Sequence, residues 1–100
     1  MRRVERTPQA EVDLLQIWVY LAERSLPAAN KLLERLESTL EMLATHPAMG
    51  ESIDRIAQGL RRFSVGNYVL VYRPLENGIR LLRVFHGARD SGAIIEGIAD

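Results

Sequence analysis

The first half of the chain carries apolar residues at the three- and four-residue spacing of amphipathic helices. The segment from Thr7 to Arg24 opens with threonine and proline, which suit the N-cap and the first position of a helix. Its main apolar stripe consists of Ala10, Leu14, Ile17, Trp18 and Leu21. A second stripe on another side consists of Val12, Leu15 and Val19. A helix that is apolar on two sides is expected to pack against two elements at once.

A second helix follows after the break Ser25-Leu26-Pro27. Its single apolar stripe consists of Ala29, Leu32, Leu33, Leu36, Leu40 and Leu43. The helix is expected to end at Thr45 or His46, because a residue that precedes proline disfavours the helical conformation. The break between the two helices is short, so they are expected to form an antiparallel hairpin.

The second half of the chain reads as a series of strands separated by turns. The predicted strands are Leu60 to Val65, Tyr68 to Arg73 and Ile79 to His86, with turns at Gly66-Asn67 and at Asn77-Gly78. Weaker patterns predict an edge strand at residues 2–6, a loop at 49–59 with one helical turn near 53–57, and a short apolar tail at 91–99.

The order β-α-α-β-β-β predicts an α+β fold in which the helical hairpin covers one face of a small, mainly antiparallel sheet. One hundred residues without a linker or an internal repeat are expected to form a single domain, residues 1–100. The other face of the sheet is then expected to be exposed or covered by a partner.

Side-chain alternation predicts which residues of the last strand face the helices. A charge is costly at the centre of a buried face, so Leu82 and Val84 are placed against the helices. Arg83 is then placed on the open face with Leu81 and Phe85. An open face that mixes arginine with apolar side chains suggests a surface for binding a partner.

Charge is unevenly distributed, although the formal net charge is zero. From Arg55 to Arg89 the only acidic residue is Glu76, and the arginines are at positions 55, 61, 62, 73, 80, 83 and 89. Arginine suits the recognition of phosphate and carboxylate groups, so this half suggests an anionic partner, either nucleic acid or an acidic peptide. A charged sheet edge that prevents aggregation is the alternative.

Composition argues against several classes of site. The chain has no cysteine, and His46 and His86 lie far apart, so neither a thiol nucleophile nor a metal site is expected, and no cofactor is implied. No apolar run approaches the roughly 20 residues of a membrane-spanning helix. A cytoplasmic protein without membrane contact is the expectation.

Five segments in order resemble the RelE/ParE-type toxins of type II toxin–antitoxin modules. The first helix resembles the family's A-x-x-D-L-x-x-I-x-x-Y pattern, and His46 to Gly50 resembles its H-P-x-x-G loop. The segment from Gly59 resembles its G-L-R motif, and Tyr68 to Arg73 resembles its Y-x-I-x-Y-R strand. Arg83 to Asp90, with the sequence RVFHGARD, resembles its R-V-x-H-x-x-R-D ending.

The resemblance implies a small bacterial or archaeal toxin that a cognate antitoxin inactivates. Operator DNA would be bound only through the antitoxin. ParE-like members poison DNA gyrase, whereas RelE-like members cleave messenger RNA on the ribosome. The helical hairpin and the H-x-x-R-D ending fit the ParE-like branch better. A non-catalytic binding module of an antitoxin complex is a third possibility.

The two mechanisms assign different roles to the candidate residues. RNA cleavage needs a general base, an acid and cations, and these would be His86, Tyr72, Arg61 and Arg83. A gyrase poison needs only a binding surface and would not be an enzyme. The candidates for contact with the target or another partner are Arg61, Arg62, Arg73, Arg83, Phe85, Arg89 and Asp90. Purely structural roles are the alternative. Arg61 would then pair with Glu11 or Asp13, and Asp90 would pair with Arg89 or cap a turn.

Overall fold

The computed structural model describes residues 2–98. The helices are α1 (Pro8–Ala22), α2 (Leu26–Thr45) and a short α3 (Ser91–Glu96). The strands are β1 (Arg3–Arg6), β2 (Glu51–Ser52), β3 (Arg61–Val65), β4 (Tyr68–Leu75) and β5 (Gly78–His86). These bounds confirm the predicted helices and strands to within a few residues. The predicted tail appears as α3, and its last predicted residue, Ala99, lies outside the described residues.

Local caps set where the two long helices begin. The Thr7 hydroxyl oxygen accepts a hydrogen bond from the Ala10 N–H at 3.1 Å, and Ser25 does the same for Ala28 at 3.3 Å. The Thr7 hydroxyl also donates to the Leu82 carbonyl at 3.0 Å, which ties the start of α1 to the sheet.

The five strands form one mixed sheet in the order β1-β5-β4-β3-β2. β1 runs parallel to β5, and every other neighbouring pair is antiparallel. The prediction of an α+β fold with a mainly antiparallel sheet is therefore confirmed. Strand β5 lies between β1 and β4, so the first and the last strand of the chain are neighbours in the sheet.

The helical hairpin covers one face of the sheet, as predicted. The core on this side joins residues of both helices to the sheet, and its buried members include Leu14, Leu36, Leu40, Leu43, Leu70, Tyr72, Ile79, Leu81 and Val84. These side chains are less than one-tenth exposed, so the hairpin and the sheet form the main hydrophobic core.

The opposite face of the sheet is covered by the chain itself, so the expectation of an open or partner-covered face was wrong. The loop before β3 and helix α3 place Ile53, Leu60 and Ile95 on this face. They pack with the strand residues Val69, Val71, Leu82 and Phe85. The protein thus has a second, smaller hydrophobic core on the side away from the hairpin.

A bulge in β5 explains why the predicted facing of that strand was partly wrong. Val71 pairs with Arg83 while its neighbour Tyr72 pairs with Leu81, so Leu82 is an extra residue on β5. Leu81 and Val84 therefore both face the helices, whereas Leu82 and Phe85 face the second core. Only Val84 was placed correctly against the helices, and Phe85 points away from them but is 1% exposed.

Candidate functional site

Arg83 is half-buried in an ion pair with the buried Asp13 of helix α1, and it does not lie on an open face. Its Nε donates to Asp13 Oδ2 at 2.8 Å and its Nη2 donates to Asp13 Oδ1 at 3.3 Å. The Val84 N–H donates to the same Oδ2 at 2.9 Å, and Gln9 Nε2 donates to Oδ1 at 3.0 Å. Asp13 is 5% exposed. The pairing of β1 with β5 ends at Leu81, so no strand residue accepts the Val84 N–H. The Asp13 carboxylate accepts it instead.

Sequence reasoning named Asp13 as a possible ion-pair partner of Arg61, but not of Arg83. The available signal was its position, because Asp13 lies beside Ala10, Leu14 and Ile17 on the apolar side of α1. A carboxylate on a helix face that is expected to be buried needs a cation or several donors. Arg83 was a candidate cation, but the bulge concealed that it reaches α1.

Tyr72 holds the loop that follows α2. Its ring is fully buried, its hydroxyl donates to the Pro47 carbonyl at 2.7 Å, and its oxygen accepts from the Gly50 N–H at 2.9 Å. Both hydrogen-bonding functions of the phenol are therefore used within the protein. Gly50 lies so close to the ring that a Cβ there would come within 2.4 Å of the Tyr72 oxygen.

Arg61 reaches the same loop from the neighbouring strand. Its Nη1 donates to the Gly50 carbonyl at 2.6 Å and to the Ala48 carbonyl at 3.3 Å. The expected pairing of Arg61 with Glu11 or Asp13 was wrong, since Asp13 is bound to Arg83. Arg61 and Tyr72 are cross-strand neighbours, and together they fix the loop through backbone carbonyls.

Burial raises the pKa of the Tyr72 phenol above its ordinary value of 10.0, while the Gly50 hydrogen bond and the Arg61 charge lower it by smaller amounts. A group whose pKa is higher in the folded state contributes stability below its unfolded pKa and loses it as the pH rises. We therefore expect the free energy of unfolding to decrease as the pH rises above 10.0. Urea unfolding over this range should show a shallower decrease for Tyr72→Phe, which has no phenol to ionise; an equal slope would contradict the role of Tyr72.

His86 lies at the other end of β4 from this loop. Its Nδ1 accepts from the Ala88 N–H at 3.0 Å, and its ring meets the Tyr68 ring edge-on with centroids 5.4 Å apart. His86 pairs with Tyr68 whereas Arg61 pairs with Tyr72, so four residues of β4 separate the two positions by about 13 Å. The four candidates for RNA cleavage are therefore not brought together into one site.

The remaining candidates lie at different places on the surface. Arg62 is 3.9 Å from the exposed Glu51 carboxylate, and Arg73 lies beside Arg80 in the register of β4 and β5. Asp90 accepts from the Ala93 N–H at 3.2 Å, which confirms the capping role and makes Asp90 the N-cap of α3. Arg89 is exposed and forms no ion pair with any residue from 2 to 98.

A groove of about 400 Å³ lies between α1 and the end of β5. Helix α1 contributes Asp13, Gln16, Ile17 and Tyr20, and the other wall consists of Tyr68, Val84, Phe85, His86 and Arg89. Burial, and to a smaller extent the neighbouring Tyr20, raise the pKa of the Tyr68 phenol, so its hydroxyl stays protonated and can donate. The groove thus combines an apolar floor with several hydrogen-bond donors.

The described residues 2–98 contain no group of three or more His, Cys, Asp or Glu side chains arranged to hold a metal ion. None of the helices in this part of the chain is long and apolar enough to cross a membrane.

Comparison with known proteins shows that most of this chain matches one protein family. Residues 4–91 match the family model described as the ParE toxin of the type II toxin–antitoxin system, parDE. Toxin ParE1 of Caulobacter vibrioides is 32% identical over 96 residues, which cover 93% of this chain and 97% of that protein. Toxin RelE3 of the same organism is 31% identical over 90 residues, covering 86% of this chain and 95% of that protein.

A solved structure has the same fold. It is described as the chromosomal ParDE TA system from P. aeruginosa, and it superposes with a TM-score of 0.71. The match covers 86% of this chain and 96% of that chain at 19% identity. It supports the arrangement of two main helices on a five-stranded mixed sheet.

Proposed function

Since this chain belongs to the ParE toxins of type II toxin–antitoxin systems, we propose that it inhibits growth by poisoning DNA gyrase. A toxin of such a module has a cognate antitoxin as its partner. In this proposal the antitoxin neutralises the toxin by covering it and provides the only contact with operator DNA. The toxin acts in the cytoplasm, where its target is found.

The observation that carries the proposal is the structural use of the groups that RNA cleavage would need. The Tyr72 hydroxyl is hydrogen-bonded to the Pro47 carbonyl and the Gly50 N–H, and Arg61 binds the carbonyls of the same loop. Arg83 is held by Asp13. A general acid or base must lie within hydrogen-bond reach of the reacting group, and His86 is about 13 Å along β4 from Arg61 and Tyr72. A gyrase poison needs a binding surface and no such cluster.

The candidate contact residues support this proposal to different degrees. Arg89 is exposed and can reach a macromolecular partner, whereas Arg62 is half-buried and lies 3.9 Å from the Glu51 carboxylate. Arg61, Arg73 and Arg83 are half-buried, and Phe85 is buried. In this proposal they position neighbouring parts of the surface more than they contact a partner directly. Asp90 contributes by capping α3.

The second candidate function is ribosome-dependent cleavage of messenger RNA. Two relatives at 31% identity carry RelE names, and this similarity supports RNA cleavage as the alternative function. His86 and Arg89 share one groove and are the pair that such chemistry would use. A binding module without toxicity would instead show no growth arrest when the chain is expressed alone.

We expect the purified chain to inhibit gyrase supercoiling and to accumulate gyrase–DNA cleavage complexes, with no codon-dependent cleavage of messenger RNA on ribosomes. Tyr72→Phe, assayed at a temperature where circular dichroism shows it folded, should retain gyrase inhibition because the hydroxyl only holds a loop. Ribosome-dependent cleavage that Tyr72→Phe or His86→Ala abolishes would overturn the proposal.

A further inference from the structure

We propose that the toxin also contacts the DNA that gyrase holds, through a line of arginines on the sheet face away from the helical hairpin. This arginine stripe is defined as Arg62, Arg73, Arg80 and Arg3. Arg80 and Arg3 reach the DNA phosphates, and the other two add positive charge beside them. The inference rests on the proposed function, because it names a part of the gyrase–DNA complex that the toxin touches.

The register of the sheet arranges the stripe as a diagonal across four strands. Arg73 of β4 pairs directly with Arg80 of β5. Arg62 of β3 and Arg3 of β1 lie one strand further out on either side, each offset by two residues. Directly opposed side chains lie about 5 Å apart, and diagonal neighbours of this kind lie about 7–8 Å apart. The four side chains therefore start from one line across the sheet.

The stripe lies on the same face as the second core, toward the turn at residues 76–77. Tyr72 and Leu81 pack in the main core under the hairpin, and side chains alternate along a strand. Arg73 and Arg80, the neighbours of those two residues, therefore point to the opposite face. Like charges placed directly opposite each other destabilise a sheet, so fold stability alone does not explain this arginine pair.

The two most exposed arginines of the stripe have donors left for a phosphate. The side chains of Arg3 and Arg80 are 64% and 42% exposed. Arg80 Nε donates to Glu5 Oε1 at 3.0 Å, and Arg3 Nη2 lies 3.3 Å from Oε2 of the same carboxylate. Two guanidinium groups thus share one carboxylate, and no hydrogen bond from the terminal nitrogens of Arg80 reaches an acceptor among residues 2–98. Paired guanidinium nitrogens suit the oxygens of a phosphate.

Formal charge is separated between the helical layer and the sheet. The two long helices carry five acidic and two basic side chains, a net charge of −3. The five strands carry seven arginines and two glutamates, a net charge of +5. A molecule with this charge separation turns its sheet toward a polyanion and its helices away from it.

The surroundings of the stripe favour a nucleic acid over a protein partner. The exposed large apolar side chains lie in α1, at the start of α2 and between residues 47 and 59; within residues 2–98 none lies in β1, β3, β4 or β5. The cores of protein–protein interfaces are enriched in aromatic and other apolar side chains, whereas protein–DNA interfaces are more polar and more positively charged. DNA is the polyanion that gyrase holds, so the stripe fits its phosphates.

The first test is photocrosslinking, which is selective because the chain has no cysteine of its own. Arg3→Cys, labelled with an azidophenacyl group, should crosslink to radiolabelled DNA in complexes of toxin, gyrase and DNA. Lys31→Cys is the matched control, since Lys31 is exposed on α2 and carries the label on the helical layer. It should give no DNA crosslink above that of unlabelled toxin.

The second test is the affinity of fluorescently labelled toxin for gyrase with and without DNA, measured by anisotropy. The double variant Arg3→Gln/Arg80→Gln should bind the gyrase–DNA complex about tenfold more weakly, and the slope of log affinity against log salt should fall by about 2. Its affinity for gyrase without DNA should be unchanged. Lys31→Gln/Arg35→Gln removes the same charge from α2 and should bind the gyrase–DNA complex like wild type.

Circular dichroism must show that every variant is folded. Crosslinking of labelled Arg3→Cys to gyrase and not to DNA, or an equal loss of affinity with and without DNA, would overturn the inference in favour of an acidic protein surface. Wild-type toxin that inhibits gyrase, with wild-type affinity and salt slope in Arg3→Gln/Arg80→Gln, would overturn the inference and leave the proposed function standing. Wild-type toxin that does not bind gyrase would overturn the proposed function itself, and a crosslink to ribosomal RNA in place of DNA would assign the stripe to RNA.

Discussion

Replacing Asp13 with alanine is expected to destabilise the protein by about 3–5 kcal/mol. The change leaves the Arg83 guanidinium, whose side chain is 21% exposed, without its counter-charge beneath α1. It also leaves the Val84 N–H without an acceptor, since that group bonds to Asp13 in place of a strand partner. Urea unfolding followed by circular dichroism would measure the loss.

Glu5→Gln is the matched control for this prediction. Glu5 also pairs with an arginine on β5, since its Oε1 lies 3.0 Å from Arg80 Nε, but both side chains are more exposed, at 29% and 42%. Partly exposed ion pairs contribute little, so this variant should lose no more than about 1 kcal/mol. If Asp13→Ala were no more costly than Glu5→Gln, the ion pair would not anchor α1. A double-mutant cycle with Arg83→Met would then measure the coupling directly.

Gly78→Ala is expected to destabilise the protein by at least about 3 kcal/mol, through disruption of the pairing between β1 and β5. A Cβ on Gly78 would come within 1.9 Å of the Arg3 carbonyl oxygen and 2.8 Å of the Arg3 nitrogen. The obstruction is backbone, which cannot rotate away as a side chain does. Because Gly78 pairs with Arg3 at the start of the parallel ladder, the whole first strand would have to shift.

Gly92→Ala provides the comparison within the same chain. A Cβ at Gly92 would meet only Asp90 Oδ1, at the ordinary contact distance of 3.6 Å. Gly92 lies within α3, where alanine is favoured over glycine by about 0.5–1 kcal/mol. The variant should therefore be at least as stable as wild type. A Gly78→Ala protein that unfolds at the same urea concentration as Gly92→Ala would contradict the close approach of β1 and β5.

Several residues that the sequence suggests as catalytic have structural roles in the fold. Tyr72 and Arg61 secure the His46–Gly50 loop by binding its backbone, and Arg83 with Asp13 fixes α1 to the edge of β5. These residues lie in four of the five motifs that resemble the toxin family. In this chain these motif residues therefore hold the scaffold together.

The sequence by itself determined the two long helices, the strands other than β2, the fold class and the family of this protein. Helix caps at Thr7 and Ser25, apolar periodicity and turn residues act over a few positions, so they are readable from neighbouring residues. The tertiary structure decided how distant elements meet. It placed β1 parallel to β5, inserted Leu82 as a bulge, covered the second sheet face with α3, and paired Arg83 with Asp13. Each of these contacts joins residues far apart in the chain. Because a one-residue bulge reverses side-chain alternation, the orientation of Arg83 could not be read from strand parity alone.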